Sequence, residues 1–535
     1  MLSFLNSLKN SSGTSFPLRL FLTFTSVGLV WLAFPGQKGE GVSWLVWVCL
    51  VPWGFALKGA KPKAGLLLGF LFGFFVFFGV LPGVTHGLKM LLGLSNAKIW
   101  ILYVLCCALG AFPYALFGWM QGVFGWLGKA FGAPRAAGCL ALFLVLVPQV
   151  MPVHYYLVLY NSPIPIQIAD LGGVPLLLFI INLTNWYALE AVIGFLQKKN
   201  FIIPATAFVL FLTVIAIYGQ HRLMEFHGKS ERGEFKQRMH VVSIQPNIPL
   251  KSFNESKDLE AVTRLSEQAI KQFPSADIFI LPELPRYLNC DGEFFQKKIL
   301  PLAKQVGKEF LVQCDKELGQ SPPYIFSSAK NLSPFEKDDI QRTDQEYHKI
   351  ILFPFGEYLP FSDSFPAIKD FFRFYRNYTP GSRTEPLHLN GIIFIPSICY
   401  EAIFSRHIRR LVREEGDILI NQTNDGWWGE SDGAMIHLAL SVFRTVEYRV
   451  PMVRVTHSGV GAFVAATGEI VPGSMTPMFE EAVTSFPLFI PEQRSPYFYL
   501  GDVFLWGLLV LFASELFCLR LNKKKIENIK FERPE

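Results

Sequence analysis

The feature that most constrains this chain is a series of apolar runs, each long enough or nearly long enough to cross a lipid bilayer. A hydrocarbon core about 30 Å thick requires roughly 20 predominantly apolar residues in a helix. Seven runs precede residue 220 and an eighth follows a polar stretch. They are approximately 17–35, 43–58, 64–84, 98–120, 136–153, 173–196, 201–219 and 502–520, of which the second and fifth are short or interrupted by proline. The pattern predicts a polytopic α-helical membrane domain with about eight transmembrane helices.

Charged residues are few and unevenly distributed. Hydrophobic residues make up 51% of the 535 positions and charged residues only 17%. The stretch from about Lys229 to Arg494 nevertheless has the composition of an ordinary soluble domain. The net charge of +6 forms no dense basic stripe, so we expect no nucleic-acid partner. Ionisable residues are scarce inside the apolar runs, with Glu190 the clearest exception, and this scarcity counts against a transporter.

Lysine and arginine in the short loops indicate how the chain is oriented, because positive charges are retained on the cytoplasmic side. Pro35-Gly36-Gln37-Lys38 offers no small-residue cleavage site, so we expect the first run to stay as an uncleaved helix. The alternation of basic loops predicts that both termini lie in the cytoplasm and the polar domain outside it. The basic residues concerned are Lys58, Lys61, Lys63, Lys129, Arg135, Lys198, Lys199, Lys523, Lys524 and Lys525.

The polar part alternates short apolar segments with amphipathic ones, which is typical of an α/β fold. The predicted strands are 239–244, 277–281, 310–313, 388–395, 417–421, 452–456 and 482–486, and the predicted helices are 257–273, 405–415 and 434–449. We therefore divide the chain into a membrane domain at 1–220 with about seven transmembrane helices, an extracytoplasmic α/β domain at 221–495, and a final transmembrane helix with a basic cytoplasmic tail at 496–535.

Glu283 follows directly on an apolar predicted strand, Ile278 to Pro282. Catalytic groups in α/β sheets concentrate at such strand ends. A carboxylate among apolar neighbours binds protons more tightly and suits a general base. Taken alone, this residue is better explained as part of a surface turn.

Cys399 ends a second apolar strand and precedes a helical stretch. A thiol at a strand-to-helix turn meets the positive end of the helix dipole, which favours the thiolate. Of the eight cysteines, only Cys290, Cys314 and Cys399 lie in the polar part, and an odd number leaves at least one thiol outside any disulfide. A buried free cysteine is a common alternative.

Lys349 and Glu357 flank an aromatic segment, Phe353 to Gly356. A lysine near a cysteine nucleophile stabilises both the thiolate and the oxyanion that forms on an attacked carbonyl. Glu357 is suited to orient Lys349. Taken singly, each is more often a solvated or structural charge.

Four histidines of the polar domain are candidates for pairing with a catalytic cysteine, and we interpret all of them as structural. His407 is the nearest in sequence to Cys399, and its helical placement predicts that it points toward solvent. The four are His348, His407, His437 and His457.

Glu283, Lys349 and Cys399, in this chain order, resemble the catalytic set of the carbon-nitrogen hydrolase (nitrilase) superfamily. The segment 353–360, Phe-Pro-Phe-Gly-Glu-Tyr-Leu-Pro, is similar within that superfamily to the bacterial apolipoprotein N-acyltransferases. The same holds for Cys-Tyr-Glu at 399–401 and Asn-Asp-Gly-Trp-Trp-Gly at 424–429. That family embeds one nitrilase-like α-β-β-α sandwich domain between membrane helices, so the resemblance covers nearly the whole chain.

The resemblance implies a role for each matching residue. Cys399 corresponds to the nucleophile, Glu283 to the general base and Lys349 to the cation that stabilises the oxyanion. The supporting positions of the family correspond to Glu357, Tyr400 and Glu401.

The candidate substrate-binding residues are Phe253, Trp427 and Trp428. The two tryptophans are suited to bind a lipid chain or to anchor the domain at the membrane interface, and burial in the domain core is an equally good explanation. Phe253 follows Gln245 to Ile248 at a shorter spacing than the tryptophan that the family usually has there. Leu281 stands where a tryptophan is common. Both departures affect the lining of a lipid pocket more than the chemistry.

The implied reaction moves a fatty acyl chain from a phospholipid to the N-terminal amine of diacylglyceryl-cysteine apolipoproteins, through a thioester at Cys399. It needs no metal and no organic cofactor. The implied location is the bacterial inner membrane, with several spans and the catalytic domain on the periplasmic side. Two alternatives stay open: a membrane-anchored amidase that acts on small C–N substrates, and an inactive lipid-binding receptor or transporter. Zinc and serine hydrolases are disfavoured because neither HExxH nor G-x-S-x-G occurs.

Overall fold

The computed structural model describes most of the chain and places an α/β part between apolar helices. The described residues are 14–36, 41–129, 131–249, 255–284, 288–319, 324–333, 345–372, 377–383, 385–389 and 391–531. Phe253 lies outside them.

Nine α-helices in the described residues precede the first strand. Five of them, α1, α3, α5, α8 and α9 in the list that follows, are long and apolar enough to cross a membrane. Two 3-10 turns, Ser43–Trp47 and Tyr155–Leu159, lie among the helices. The helices are α1 (Phe16–Ala33), α2 (Val51–Leu57), α3 (Pro62–Val80), α4 (Gly83–Leu92), α5 (Asn96–Phe124), α6 (Gly132–Leu146), α7 (Pro163–Ile166), α8 (Ala169–Leu196) and α9 (Ile202–Glu231).

Three of the eight predicted runs instead form shorter apolar helices. The second run is divided between the turn Ser43–Trp47 and α2, where Pro52 lacks the N–H that a continuous helix would need. The fifth ends as α6 at Leu146, two residues ahead of Pro148, because the residue before a proline is driven out of the helical region. The predicted fold class, a domain of apolar membrane helices, is confirmed. Five helices in the described part of the chain are long and apolar enough to cross a membrane.

The closest helix pair is α3 with α5. The glycines Gly65, Gly69 and Gly73 recur every four residues along α3, and all three are buried. A Cβ atom on Gly65 would overlap the carbonyl group of Gly118 in α5, at 2.9 Å from its carbon. The glycines therefore allow two backbones to approach more closely than any larger residue would permit.

The polar part contains two β-sheets. The first has six strands in the order β11-β1-β2-β3-β4-β5 and the second has five in the order β10-β9-β8-β7-β6. β1, β2 and β3 run parallel, as do β7, β8 and β9. The strands are β1 (Gln237–Gln245), β2 (Ile278–Ile280), β3 (Glu309–Leu318), β4 (Tyr324–Leu332), β5 (Glu346–His348), β6 (Leu387–Leu389), β7 (Ile392–Ile398), β8 (Ile418–Thr423), β9 (Met452–Thr456), β10 (Ala462–Val464) and β11 (Ala482–Ile490).

Helices cover the outer face of each sheet. The helices that follow β1 are α10 (Glu255–Gln272), α11 (Leu300–Val306), α12 (Ala367–Phe372), α13 (Ser405–Arg413), α14 (Gly433–Tyr448), α15 (Pro496–Leu500) and α16 (Val503–Phe531), with a π-helical turn at Phe295–Ile299 and 3-10 turns at Cys399–Ile403 and Gly426–Trp428. The last of them, α16, packs against the apolar helices α6 and α8. Val242 of β1 shares a core with Leu265 of α10, whereas its neighbour Val241 shares one with Phe394 of the second sheet and Leu411 of α13. Because successive strand residues face opposite sides, this alternation confirms the expected α-β-β-α sandwich.

Buried polar contacts join the sandwich to the apolar helices. Arg449, which follows α14, forms an ion pair of 2.5 Å with Asp170 of α8. Glu447 accepts a hydrogen bond of 2.9 Å from the backbone N–H of Val174 in the same helix. Both carboxylates are fully buried, and their contacts hold the α/β part against the helical part.

Candidate active site

Three predicted site residues stand beyond strands of both sheets. Cys399 follows β7 directly, Lys349 follows β5, and Glu283 lies three residues beyond the end of β2. Both Glu283 and Lys349 act electrostatically on the Cys399 thiol. The structure thus brings together, between the sheets, three residues of which the first and the last are 116 positions apart in the sequence.

The backbone of Cys399 is strained. Its φ angle is 52°, in the left-handed region that residues with a Cβ atom seldom adopt, at a typical cost of about 1–3 kcal/mol. Asn421 of β8 donates hydrogen bonds of 3.1 Å to the carbonyl oxygens of Ser397 and Cys399. Arg454 of β9 donates in turn to Asn421 Oδ1. These buried contacts hold the turn that presents the thiol.

The surroundings of the Cys399 thiol oppose the helix-dipole effect that its position at a strand-to-helix turn suggests. Burial raises the pKa of Cys399 far above its ordinary value, the Glu283 carboxylate raises it further, and Lys349 offsets only part of the effect. The segment after Cys399 is a 3-10 turn of five residues, which is too short to carry the dipole of a long helix. These surroundings favour the protonated thiol, so a neighbouring base would assist its attack.

Lys349 is buried against a carboxylate. Its Nζ atom lies 2.6 Å from Glu357 Oε1, and the backbone N–H of Phe353 donates to Glu357 Oε2 at 2.7 Å. Burial opposes the charged form of Lys349, but Glu357, Cys399 and Glu283 outweigh it and raise the pKa of the lysine. These carboxylates and the thiol therefore favour the charged ammonium form of Lys349.

Hydrogen bonds fix the backbone around Glu283. The N–H of Asn424 donates to Glu283 Oε2 at 3.1 Å, and the N–H of Leu284 donates to Gln313 Oε1 at 2.9 Å. Gln422 of the second sheet donates to the carbonyl of Leu281 at 2.6 Å. The half-buried carboxylate is thus anchored to both sheets.

A disulfide between Cys290 and Cys314 lies behind Glu283 and attaches the following segment to β3. It uses two of the three cysteines of the polar part and leaves Cys399 free. The odd cysteine count had indicated at least one such thiol.

Glu401 joins the Lys349 segment to the Cys399 turn. Its Oε1 atom accepts from Tyr347 at 2.8 Å, Ile350 at 2.7 Å and Ile351 at 3.1 Å, while Oε2 accepts from the N–H of Ile398 at 2.9 Å. The side chain is fully buried. One carboxylate therefore sets the separation of the two segments.

Tyr400 and His407 complete the surroundings of the turn. Tyr400 donates a hydrogen bond to the carbonyl of Val150, in the loop after α6, and so connects the turn to the helical part. His407 is buried and its Nε2 atom lies 3.1 Å from the hydroxyl of Tyr347. The expectation that His407 points toward solvent is wrong, because its face of α13 packs against the sandwich.

Comparison with known proteins shows what this chain is similar to. Residues 240–485 match the family model described as carbon-nitrogen hydrolase. An apolipoprotein N-acyltransferase of Geobacter metallireducens is 29% identical over 520 residues, which cover 94% of this chain and 95% of the relative. One of Thermotoga maritima is 26% identical over 534 residues, 95% of each chain. The chain is thus similar over nearly its whole length to proteins named apolipoprotein N-acyltransferase.

Further similarities are more local. An apolipoprotein N-acyltransferase of Haemophilus influenzae is 30% identical over 243 residues, 44% of this chain and 45% of the relative. A solved carbon-nitrogen hydrolase of Helicobacter pylori is 17% identical with a TM-score of 0.35 and covers 47% of this chain and 89% of its own. A solved amidase of Nesterenkonia is 14% identical with a TM-score of 0.35, covering 47% and 91% respectively. The nitrilase-like domain of this chain is identified by the family model and the two-sheet topology.

An apolar cavity of about 150 Å³ lies where the sandwich meets the apolar helices. Phe77 of α3 and Tyr103 of α5 line one side, and Phe353, Phe355 and Trp427 line the other.

The lining of this cavity continues to the nucleophile turn. The Phe353 ring packs against that of Tyr400 with centroids 5.1 Å apart, and Tyr400 is the residue after Cys399. Trp428 is fully buried and stacks on Trp427 at 3.9 Å, so it supports the lining without being part of it.

Sequence reasoning missed a buried polar network beneath Cys399. Arg454 donates to Asp425 at 2.7 Å, and Asp425 lies 2.8 Å from His437 Nδ1. With Asn421, these side chains form a chain of hydrogen bonds across β8, β9 and α14. The sequence signal that could have found them is the presence of Asn421 and Arg454 in otherwise apolar strands.

Proposed function

We propose that this chain transfers a fatty acyl group from a phospholipid to the N-terminal amine of the diacylglyceryl-cysteine of apolipoproteins, through a thioester on Cys399. The observation that carries the proposal is the similarity along 95% of relatives named apolipoprotein N-acyltransferase, together with a buried thiol flanked by Glu283 and Lys349.

In the first half-reaction, Glu283 takes the proton of the Cys399 thiol as the sulfur attacks the ester carbonyl of the phospholipid. Lys349 stabilises the oxyanion of the tetrahedral intermediate, and Glu357 holds Lys349 in place. The carbon–oxygen bond then breaks, and Glu283 returns the proton to the leaving oxygen. Lysophospholipid departs and the acyl group stays on sulfur.

In the second half-reaction, the α-amine of the apolipoprotein attacks the thioester carbonyl. Glu283 accepts a proton from the amine, the carbon–sulfur bond breaks, and the proton passes to sulfur to regenerate the thiol. Water must be excluded in the interval, since it would hydrolyse the thioester. The cavity lined by Phe353 and Trp427 serves this purpose if the acyl chain occupies it.

The protein is placed in the bacterial inner membrane, with both termini in the cytoplasm and the nitrilase-like domain in the periplasm. The distribution of basic residues in the loops supports this orientation. The disulfide between Cys290 and Cys314 supports it independently, because disulfides persist in oxidising compartments. The division at residues 220 and 495 follows the same reasoning, with α9 leading from the bilayer into the periplasmic domain.

The test uses the purified full-length protein and a phospholipid, without acceptor. One acyl group per chain is expected, labile to hydroxylamine, together with an equal amount of lysophospholipid. Adding a synthetic diacylglyceryl-cysteine peptide with a free amine should discharge the adduct and yield an N-acylated peptide. Intact-mass spectrometry follows both species.

Two controls show which results would contradict the proposed function. The same peptide with an acetylated amine should leave the adduct in place, and Cys399→Ala should form none. A wild-type chain that binds phospholipid but carries no adduct, or that transfers the acyl group to water and not to the amine, contradicts the proposal and favours an amidase or a receptor.

Glu283→Gln is expected to change two reactions of Cys399 in opposite directions. Since the Glu283 carboxylate helps to raise the pKa of the thiol, its loss lowers that pKa and speeds alkylation by iodoacetamide at mildly alkaline pH. Acylation by phospholipid needs the base and should fall by about a hundredfold or more. Peptide mass spectrometry, which separates Cys399 from the other cysteines, measures both rates. If both fall together, Glu283 supports the site without acting as its base.

A further inference from the structure

Helix α4 touches the turn at Gly426–Trp428 through glycines. A Cβ atom on Gly83 would lie 2.9 Å from Ser431 Cβ, and one on Gly87 would lie 2.8 Å from Cζ3 of Trp427. Real Cβ atoms do not approach neighbours this closely, so any side chain at Gly87 has to displace the indole. Gly87 therefore determines where the Trp427 ring lies.

The Trp427 ring lies between neighbouring side chains and the apolar cavity. Trp428 stacks on it at 3.9 Å and is itself fully buried, and Phe353 lies 5.2 Å away. The partly exposed indole also lines the apolar cavity. A methyl group at Gly87 has to shift this ring, and a shift into the cavity would reduce its volume.

The lining of the cavity suits an acyl chain. It is almost wholly apolar, and it includes residues of the membrane helices together with Phe353, which packs on the residue after Cys399. Val150, whose carbonyl accepts from Tyr400, lines the same space. The cavity therefore lies between the apolar helices and the turn that holds Cys399.

We propose that Gly87 is a specificity-determining residue. Because Gly87 has no side chain, the Trp427 ring stays out of the cavity, and this sets the longest acyl chain that the protein accepts from its phospholipid donor. This inference rests on the proposed function. A pocket that loses room for a methylene or two discriminates between chains by about tenfold or more.

The experiment compares donors that share one head group and differ in chain length, from lauroyl to stearoyl. The initial rate of acylation of Cys399 is measured by intact mass for the full-length wild type, Gly87→Ala and Trp427→Phe. The readout is the ratio of the stearoyl to the lauroyl rate within each protein, which is unaffected by a change in the active fraction. Gly87→Ala should lower this ratio by about tenfold or more, and Trp427→Phe, which enlarges the cavity, should raise it.

Gly28→Ala is the matched control, because Gly28 also lies in a helix and a Cβ there would meet nothing within 4 Å. Its ratio should equal that of the wild type. If the wild type is acylated and neither Gly87→Ala nor Trp427→Phe changes the ratio, the inference is overturned and the proposed function stands. If the wild type forms no adduct with any donor, both are overturned. Should Gly87→Ala fail to fold, the Trp427→Phe ratio decides.

Discussion

Replacing Lys349 by methionine should slow the acylation of Cys399 by about a hundredfold to a thousandfold, the usual effect of removing an oxyanion donor. The same change should destabilise the protein by about 3–5 kcal/mol, because it leaves the buried Glu357 carboxylate without its cation. Single-turnover acylation followed by mass spectrometry gives the rate. Unfolding of the purified protein in denaturant gives the stability.

The double variant Lys349→Met/Glu357→Gln separates the two effects. It removes the unpaired carboxylate, so most of the lost stability should return, while the rate stays low because no cation faces the oxyanion. If the double variant instead recovers wild-type acylation, Lys349 serves only to neutralise Glu357 and the proposed mechanism loses its electrostatic component.

Glu401→Gln should both destabilise the protein and slow acylation, by about 2–4 kcal/mol and about a hundredfold. An amide can keep one oxygen toward Tyr347 and Ile350, but its NH₂ group then faces the N–H of Ile398, which loses its acceptor. Ile398 directly precedes Cys399, so the strained turn should shift. A displacement of about 1 Å in a catalytic group typically slows the reaction by about a hundredfold.

The matched control for Glu401 is Glu414→Gln, an exposed glutamate in the same region of the chain. It should alter neither the melting temperature nor the rate of acylation. A Glu401→Gln protein that melts earlier but acylates Cys399 at the wild-type rate would mean that the carboxylate stabilises the sandwich without positioning the nucleophile.

Much of the local structure could be predicted because it depends on periodicity. The predicted strand at 277–281 contains β2, the one at 452–456 is β9, and the predicted helix at 434–449 overlaps α14 in all but its last residue. Cys399 lies at the end of its strand as its local sequence predicts. The three glycines of α3 likewise contact another helix, as their four-residue spacing predicts.

The remainder depends on long-range pairing, which local patterns do not encode. No local signal indicates that β11 pairs with β1, or that Cys290 is bonded to Cys314. The pKa of Cys399 likewise depends on contacts that its local sequence does not encode. Its pKa is controlled by burial and by Glu283 from the other sheet, and both exist only after the sheets have packed together.

The pairing of the first strand with the last has a consequence for biosynthesis. β1 ends at Gln245 and lies inside its sheet, but its antiparallel neighbour β11 begins only at Ala482. At typical bacterial elongation speeds, the intervening residues take roughly 10–50 s to emerge from the ribosome. For that interval the nascent chain carries an unprotected strand edge, and unprotected edges recruit other chains. Newly made copies are therefore most prone to aggregation just before the ribosome reaches the last helix, and a chaperone that covers β1 during this interval would raise the yield of folded protein.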